Sequence, residues 1–221
     1  MPRAAGDSRT YDWQLNGNAK LPQIQLTSVT TILRDVLGAP QHVVTWATKF
    51  EDKEALDAFR TKRQEEGTAA HSFVEDYTAE SDKASPQWPP SPATGFDEAF
   101  LKFVKDTEPT FLMSEAIVFS LKHAYAGTLD LALLGEGGTT IICDVKTRNK
   151  NIYKAYDSDM LQCRAYAMAA YEMGLIAEPE AKTATLMLKE NGRYTYDETS
   201  LPNSAWLAVL SLWRELKGGK S

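Results

Sequence analysis

The sequence predicts an α/β domain: a helical N-terminal region, then a β-β-β-α-β-β core, then a closing helix. Two observations predict this. Apolar residues recur at helical spacing early in the chain, as at Ala55, Phe59, Ala69, Phe73 and Tyr77, then alternate with period two between about 114 and 147. Two turn signals, Gly135-Glu-Gly-Gly138 and Asn191-Gly192, each separate a pair of β-type runs. A length of 221 residues, 43% hydrophobic and 24% charged, suits one core of ordinary globular composition.

Residues 1–22 are polar and rich in Gly and Asn, and read as a flexible arm before a single domain over 23–221. Thr27 or Ser28 caps a helix that runs to Leu37 and stops at Gly38 and Pro40. Residues 41–80 read as one or two helices. Residues 85–92 contain four prolines, so they form a loop or extended connector. A helix over 97–106 places Phe96, Phe100 and Phe103 on one side and completes the helical part, 23–106. The core, 112–197, begins with a strand over 114–122, followed by a hairpin of 125–134 with 139–147. Asp157 or Ser158 caps a helix that ends at Gly174. A second hairpin, 183–189 with 193–196, turns at Asn191-Gly192, and a last helix spans 204–217.

Net charge is −6, with a sequence pI near 5.2. That argues against a protein that coats duplex DNA, but not against an acidic enzyme with one basic groove. The two cysteines, Cys143 and Cys163, fall in apolar elements and form no C-x-x-C pair. They read as free buried thiols in a reducing compartment, too few for a structural zinc site or an iron–sulfur cluster. No apolar run approaches the ~20 residues of a membrane span, and the first residues lack the apolar core of a signal peptide. The expectation is a soluble, cytoplasmic protein with no membrane partner.

The chemistry concentrates in Gly127-Thr-Leu-Asp130, Asp144-Val-Lys146 and Gln162-Cys-Arg-Ala-Tyr166. Alternation along a strand puts Asp144, Lys146 and Ile142 on one face, and Ile141, Cys143 and Val145 on the other. A four-residue loop at 135–138 would set Asp130 opposite Cys143 and bury the carboxylate. A three-residue loop, Glu136-Gly-Gly138, sets Asp130 opposite Asp144 and Leu129, Leu131 and Leu133 on the face of Cys143. Hydrophobic pattern sets register, so the second pairing is expected, with Gly138 in a left-handed conformation. Facing carboxylates repel unless a cation lies between them, and oxygen donors favour Mg²⁺ or Mn²⁺. Lys146 points at the same space, where it would orient a water or offset developing charge. Gln162 and Tyr166, four apart, share a helix face. The competing reading is a surface hairpin with scattered charges, a packed Tyr166 and a solvated Gln162.

Together these motifs resemble the PD-(D/E)xK nuclease superfamily, and Gln162-x-x-x-Tyr166 resembles its RecB-like exonuclease branch, over about residues 60–172. That branch includes CRISPR adaptation nucleases and the mitochondrial genome maintenance exonuclease. The resemblance implies a restriction-endonuclease-like core, a mixed central sheet flanked by helices. It implies Asp130, Asp144, Lys146, Gln162 and Tyr166 as catalytic residues. It implies Mg²⁺ or Mn²⁺ held by His71, Asp130, Asp144, the Val145 backbone carbonyl and Glu115. CRISPR adaptation nucleases carry four cluster-binding cysteines; with two, this chain is expected to hold no iron–sulfur cluster. The expected partner is DNA, as single strands or duplex ends, with a recombination or single-strand-binding protein as a further partner.

Between the last two motifs, Arg148, Lys150 and Lys154 alternate with Tyr153 and Tyr156 and no acid intervenes, a composition suited to phosphates and unpaired bases. Arg60, Lys62 and Arg63 form a second basic cluster; either group reads equally as a solvated charged face. The function expected is a metal-dependent DNA exonuclease for repair, recombination or phage DNA processing. The alternatives are a structure-selective or restriction-type endonuclease, or an inactive nucleic-acid-binding module. The proline-rich loop and N-terminal helices would form an arch over a threaded strand.

Overall fold

The computed structural model describes residues 10–13, 24–38, 50, 52–81, 91–199 and 201–218. Its elements are β1 (Thr10–Trp13), β2 (Ile24–Ser28), α1 (Val29–Leu37), α2 (Lys53–Ser81), α3 (Gly95–Thr107), β3 (Phe111–Ser120), β4 (Tyr125–Leu134), β5 (Thr140–Arg148), α4 (Asp157–Glu172), β6 (Lys182–Lys189), β7 (Tyr194–Thr199) and α5 (Asn203–Gly218). The strands form one mixed sheet in the order β1-β2-β4-β5-β6-β7, with β3 paired to β4. The β2–β4 and β5–β6 pairs are parallel and the rest antiparallel. The predicted α/β architecture, a mixed sheet flanked by helices, is present.

Local chemistry sets the element ends. Ser28 Oγ accepts the Thr31 N–H at 3.1 Å, and Gly38, at φ +66°, ends α1. At α3 the Asp97 carboxylate accepts the N–H groups of Ala93 (2.9 Å) and Thr94 (2.8 Å), so the helix starts at Gly95. Glycine is required there, because a Cβ would lie 1.8 Å from the Glu190 carbonyl oxygen in the β6–β7 turn. Between β4 and β5 the Gly135 N–H donates to the Thr139 carbonyl at 2.7 Å, leaving the expected three-residue loop with Gly137 and Gly138 at positive φ.

Two cores cover the sheet. On one side α2 and α3 pack Ala70, Val74, Phe96, Phe100 and Phe103 on Leu131, Leu133, Cys143, Val145 and Leu186. On the other, α1, α4 and α5 pack Val29, Ile32, Leu161, Tyr166 and Trp206 on Leu129, Ala132 and Ile142.

The N-terminal readings need correction. Thr10–Trp13, inside the stretch read as a flexible arm, is a strand on β2, and Ile24–Ser28, inside the region read as helical, is a strand on β1 and β4. Both are too short for periodicity to register, and pairing makes them strands. Residues 85–90 of the proline-rich connector lie outside the described residues; 91 and 92 have no regular structure. Among the described residues, no helix is long and apolar enough to cross a membrane.

Candidate active site

The site lies where the sheet opens. β3 pairs with β4 along most of one edge, so β2 and β5 share the other. β2 pairs with Tyr125 and Ala126, and β5 with Leu131 to Leu134. Residues 127–130, the Gly-x-x-Asp motif, fall in the gap between them. The pairing Leu131↔Cys143 continues in register to Asp130 across from Asp144, but the ladder ends before it. Beyond that point Val145 donates its N–H to Asp130 Oδ2 at 2.7 Å.

This opening changes the expected faces. Leu131 and Leu133 do lie with Cys143 on the α2–α3 side, but Leu129 packs in the α4–α5 core. Asp130 reaches towards His71 of α2, whereas Asp144 is bonded to Gln162 of α4. The carboxylates are neighbours in register without sharing one flat face, because alternation holds only while the strands stay paired.

Three ligand atoms converge on the α2 side. His71 Nδ1 lies 3.7 Å from Glu115 Oε1 and 3.6 Å from Asp130 Oδ1, and the three residues' donor atoms lie within 4.8 Å of one another. Glu115 is a non-glycine residue at φ +46°, across from Asp130 where the β3–β4 pairing skips a position. Ser114 before it bonds Thr78 of α2, whereas Ala116 and Val118 after it pack in the α4–α5 core, so the faces of β3 switch at this residue. Burial pulls the His71 imidazole towards neutrality, but Glu115, Asp130 and Asp144 outweigh it and its pKa is raised.

Asp144 lies outside that trio. It is 1% exposed, and its Oδ1 accepts from Lys146 Nζ and from Gln162 Nε2, both at 2.7 Å. Its Oδ2 lies 2.6 Å from the same ammonium without an aligned hydrogen bond. Burial, with Asp130 nearby, pushes the Asp144 carboxyl up to about 7 against the pull of Lys146. Burial opposes the Lys146 charge too, but Asp144, Asp130 and Asp159 hold its pKa above the usual lysine value. All three shifts retain protons. Glu115, Asp130, Asp144 and Asp159 outnumber the permanent cations Lys146 and Arg148, so the site is short of positive charge.

Gly127 and Tyr166 are coupled by shape. A Cβ on Gly127 would lie 2.3 Å from Tyr166 Cε1, and Tyr166 is 4% exposed, so the motif glycine admits the ring. Val145 touches the site through its N–H, which donates to Asp130. Arg148 is committed locally: Nη2 lies 2.6 Å from Asp159 Oδ2, and the guanidinium sits 4.8 Å over the Tyr156 ring. Lys150, Tyr153 and Lys154 are exposed, with the Lys189 ammonium 4.0 Å from the Tyr153 ring. Arg60, Lys62 and Arg63 pair along α2 with Asp57 and Glu66.

Two residues escaped the sequence reading. Asp159 was detectable only as an acid in the first turn of α4, yet it holds Arg148 and accepts the Tyr156 N–H at 3.1 Å. Thr185, on β6 directly across from Asp144, is fully buried with a hydroxyl that has no hydrogen-bond partner. A threonine in a strand carries no sequence signal of that kind.

No family model matches the chain, and no curated protein does. Among solved structures, the crystal structure of SSO0001 is similar over 53% of this chain and 55% of its own, at 13% identity and a TM-score of 0.36. The chain thus spans about half the length of that structure, and a likeness of this size carries no argument about fold or function.

Proposed function

We propose that the chain is a metal-dependent DNA nuclease of the PD-(D/E)xK type, with exonuclease action on free or single-stranded ends as its activity. One observation carries the reading: an imidazole and two carboxylates converge beside a buried Asp–Lys pair, at a gap in the sheet made by the Gly127–Asp130 segment. The donor set fits a divalent ion. Two atoms each about 2.1 Å from one ion lie about 3–4 Å apart, in keeping with the His71 spacings of 3.6 and 3.7 Å. The surplus of carboxylate charge supports the same conclusion.

His71, Glu115 and Asp130 would hold Mg²⁺ or Mn²⁺, with Asp144 joining once Lys146 turns to the substrate. The ion, when bound, would polarise the phosphate and acidify an attacking water. The Val145 N–H fixes one Asp130 oxygen and leaves the other facing His71. Gln162 holds Asp144 Oδ1. Lys146 would orient the water or offset charge on the phosphate oxygens. Lys150, Tyr153 and Lys154 are available to the DNA; Arg148 instead braces the loop.

The test uses end-labelled single- and double-stranded DNA, linear and circular, with Mg²⁺ or Mn²⁺. Mononucleotide release from linear substrate, lost in Lys146→Ala and Asp130→Asn, is the expected result. Cleavage of circles would make it an endonuclease. Undiminished activity in folded variants would remove the assigned site.

A further inference from the structure

A cleft of about 580 Å³ runs between α1 and the start of α4, and no residue of the metal trio lines it. Thr30, Leu33, Arg34, Leu37 and Gly38 form one wall, and residues 155–158 with Gln162 the other. Gln162 joins the cleft to the candidate active site, since its Nε2 donates to Asp144 Oδ1. The volume falls within the ~300–1,000 Å³ of clefts that hold small organic groups.

The lining chooses among occupants. A phosphate backbone would need net positive charge, yet among the described residues the one cation in the walls, Arg34, lies 3.4 Å from Asp35, and the other wall carries an acid, Asp157. An apolar peptide side chain would leave the polar rim unused. A flat heterocycle with hydrogen-bonding edges suits both parts: Leu33, Leu37 and Ala155 offer faces, while Thr30, Ser158 and Gln162 offer donors and acceptors. Leu37 is 43% exposed, so an apolar surface already stands open at the mouth.

We infer that this cleft receives the unstacked nucleobase of the nucleotide next to the scissile phosphate. This rests on the nuclease reading above and adds to it a subsite for a base, which accounts for its preference for single-stranded ends. A base seated here has left its duplex, so the chain acts on single strands or frayed ends and selects them by the base rather than by the backbone.

The experiment measures binding of a fluorescent single-stranded oligonucleotide with Ca²⁺ in place of Mg²⁺, to Leu37→Trp and Ala155→Trp, one filling the cleft from each wall. Both should fold as the wild type does and bind the single strand about tenfold more weakly. The same oligonucleotide with abasic terminal nucleotides should bind the wild type about tenfold more weakly and lose little further in the variants. If wild type cuts DNA but folded variants bind the intact strand as tightly, or abasic termini cost nothing, the base cleft is overturned and the nuclease reading stands. If the wild type neither binds nor cuts any DNA with Mg²⁺ or Mn²⁺, both fall.

Discussion

Lys146→Met tests the electrostatic account of the site without relying on activity. Lys146 Nζ lies 2.6 and 2.7 Å from the oxygens of Asp144, which is 1% exposed, while the lysine side chain is 21% exposed. Removing one partner of a buried pair costs about 3–5 kcal/mol. Gln162 remains and Lys146 keeps some solvent, so the lower end, about 3 kcal/mol, applies at alkaline pH. In a chain of this size that lowers Tm by about 6–12 °C. The sign with pH follows from Asp144, whose folded pKa of about 7 exceeds the ordinary 3.8. Stability from a group raised on folding is fully present below the unfolded value and lost as pH rises through the folded one. At pH 5 the carboxyl is neutral with or without the lysine, so the Met variant should melt close to wild type; at pH 8.5 the full deficit should show. Melts in EDTA at both pH values measure this, and Asp144→Asn/Lys146→Met should recover most of the loss. Equal deficits at both pH values, or no recovery in the double variant, would refute the buried-pair account.

Mn²⁺ at about 100 times its Kd should stabilise wild type by about 2.7 kcal/mol, seen as a raised Tm and absent in Asp130→Asn or His71→Ala. A proton on His71 competes with the ion and its pKa is raised, so that increment should shrink as pH falls through the raised value; a pH-independent increment would count against His71 as a ligand. Gly127→Ala should cost about 1–3 kcal/mol through the clash with Tyr166, and Tyr166→Ala in the same chain should relieve it, as denaturant midpoints would show. Arg148→Ala should lower Tm, because it breaks the Asp159 pair, while Lys150→Ala/Lys154→Ala should leave Tm alone and flatten the salt dependence of DNA affinity. Thr185→Val should not lower Tm, since it removes a buried hydroxyl with no partner, and a loss of about 1 kcal/mol or more would mean that the hydroxyl is bonded.

Much of the site was legible because strands obey a period of two. Matching the apolar faces of the two strands selects a three-residue loop over a four-residue one and so gives the register, and Gly137 and Gly138 at positive φ show why the sequence there has glycines. The face assignment failed at Leu129, because counting assumes that β4 and β5 stay paired, and they part beyond Leu131 and Cys143. The acid that pairs with Arg148 is not legible in the sequence, because Asp159 lies eleven residues on and meets it only through the turn into α4. β1 and β2 gave no signal: strands of four and five residues are made by their neighbours.

The sequence by itself determined the order of most elements, the stop of α1 at Gly38, both glycine turns, the three-residue loop and register between β4 and β5 up to Leu131 and Cys143, and the shared helix face of Gln162 and Tyr166. These depend on local backbone preference and on periodicity, which short stretches of chain carry. Only the tertiary structure decided that residues 127–130 sit in a gap between β2 and β5. It alone showed that Glu115, at positive φ where the faces of β3 switch, comes within reach of His71, and that Asp144 is held by Lys146 and Gln162 rather than grouped with the trio. These depend on where strands part and helices land, and on which charges burial forces together. That is set by packing the whole chain against itself, and no local window of sequence contains it.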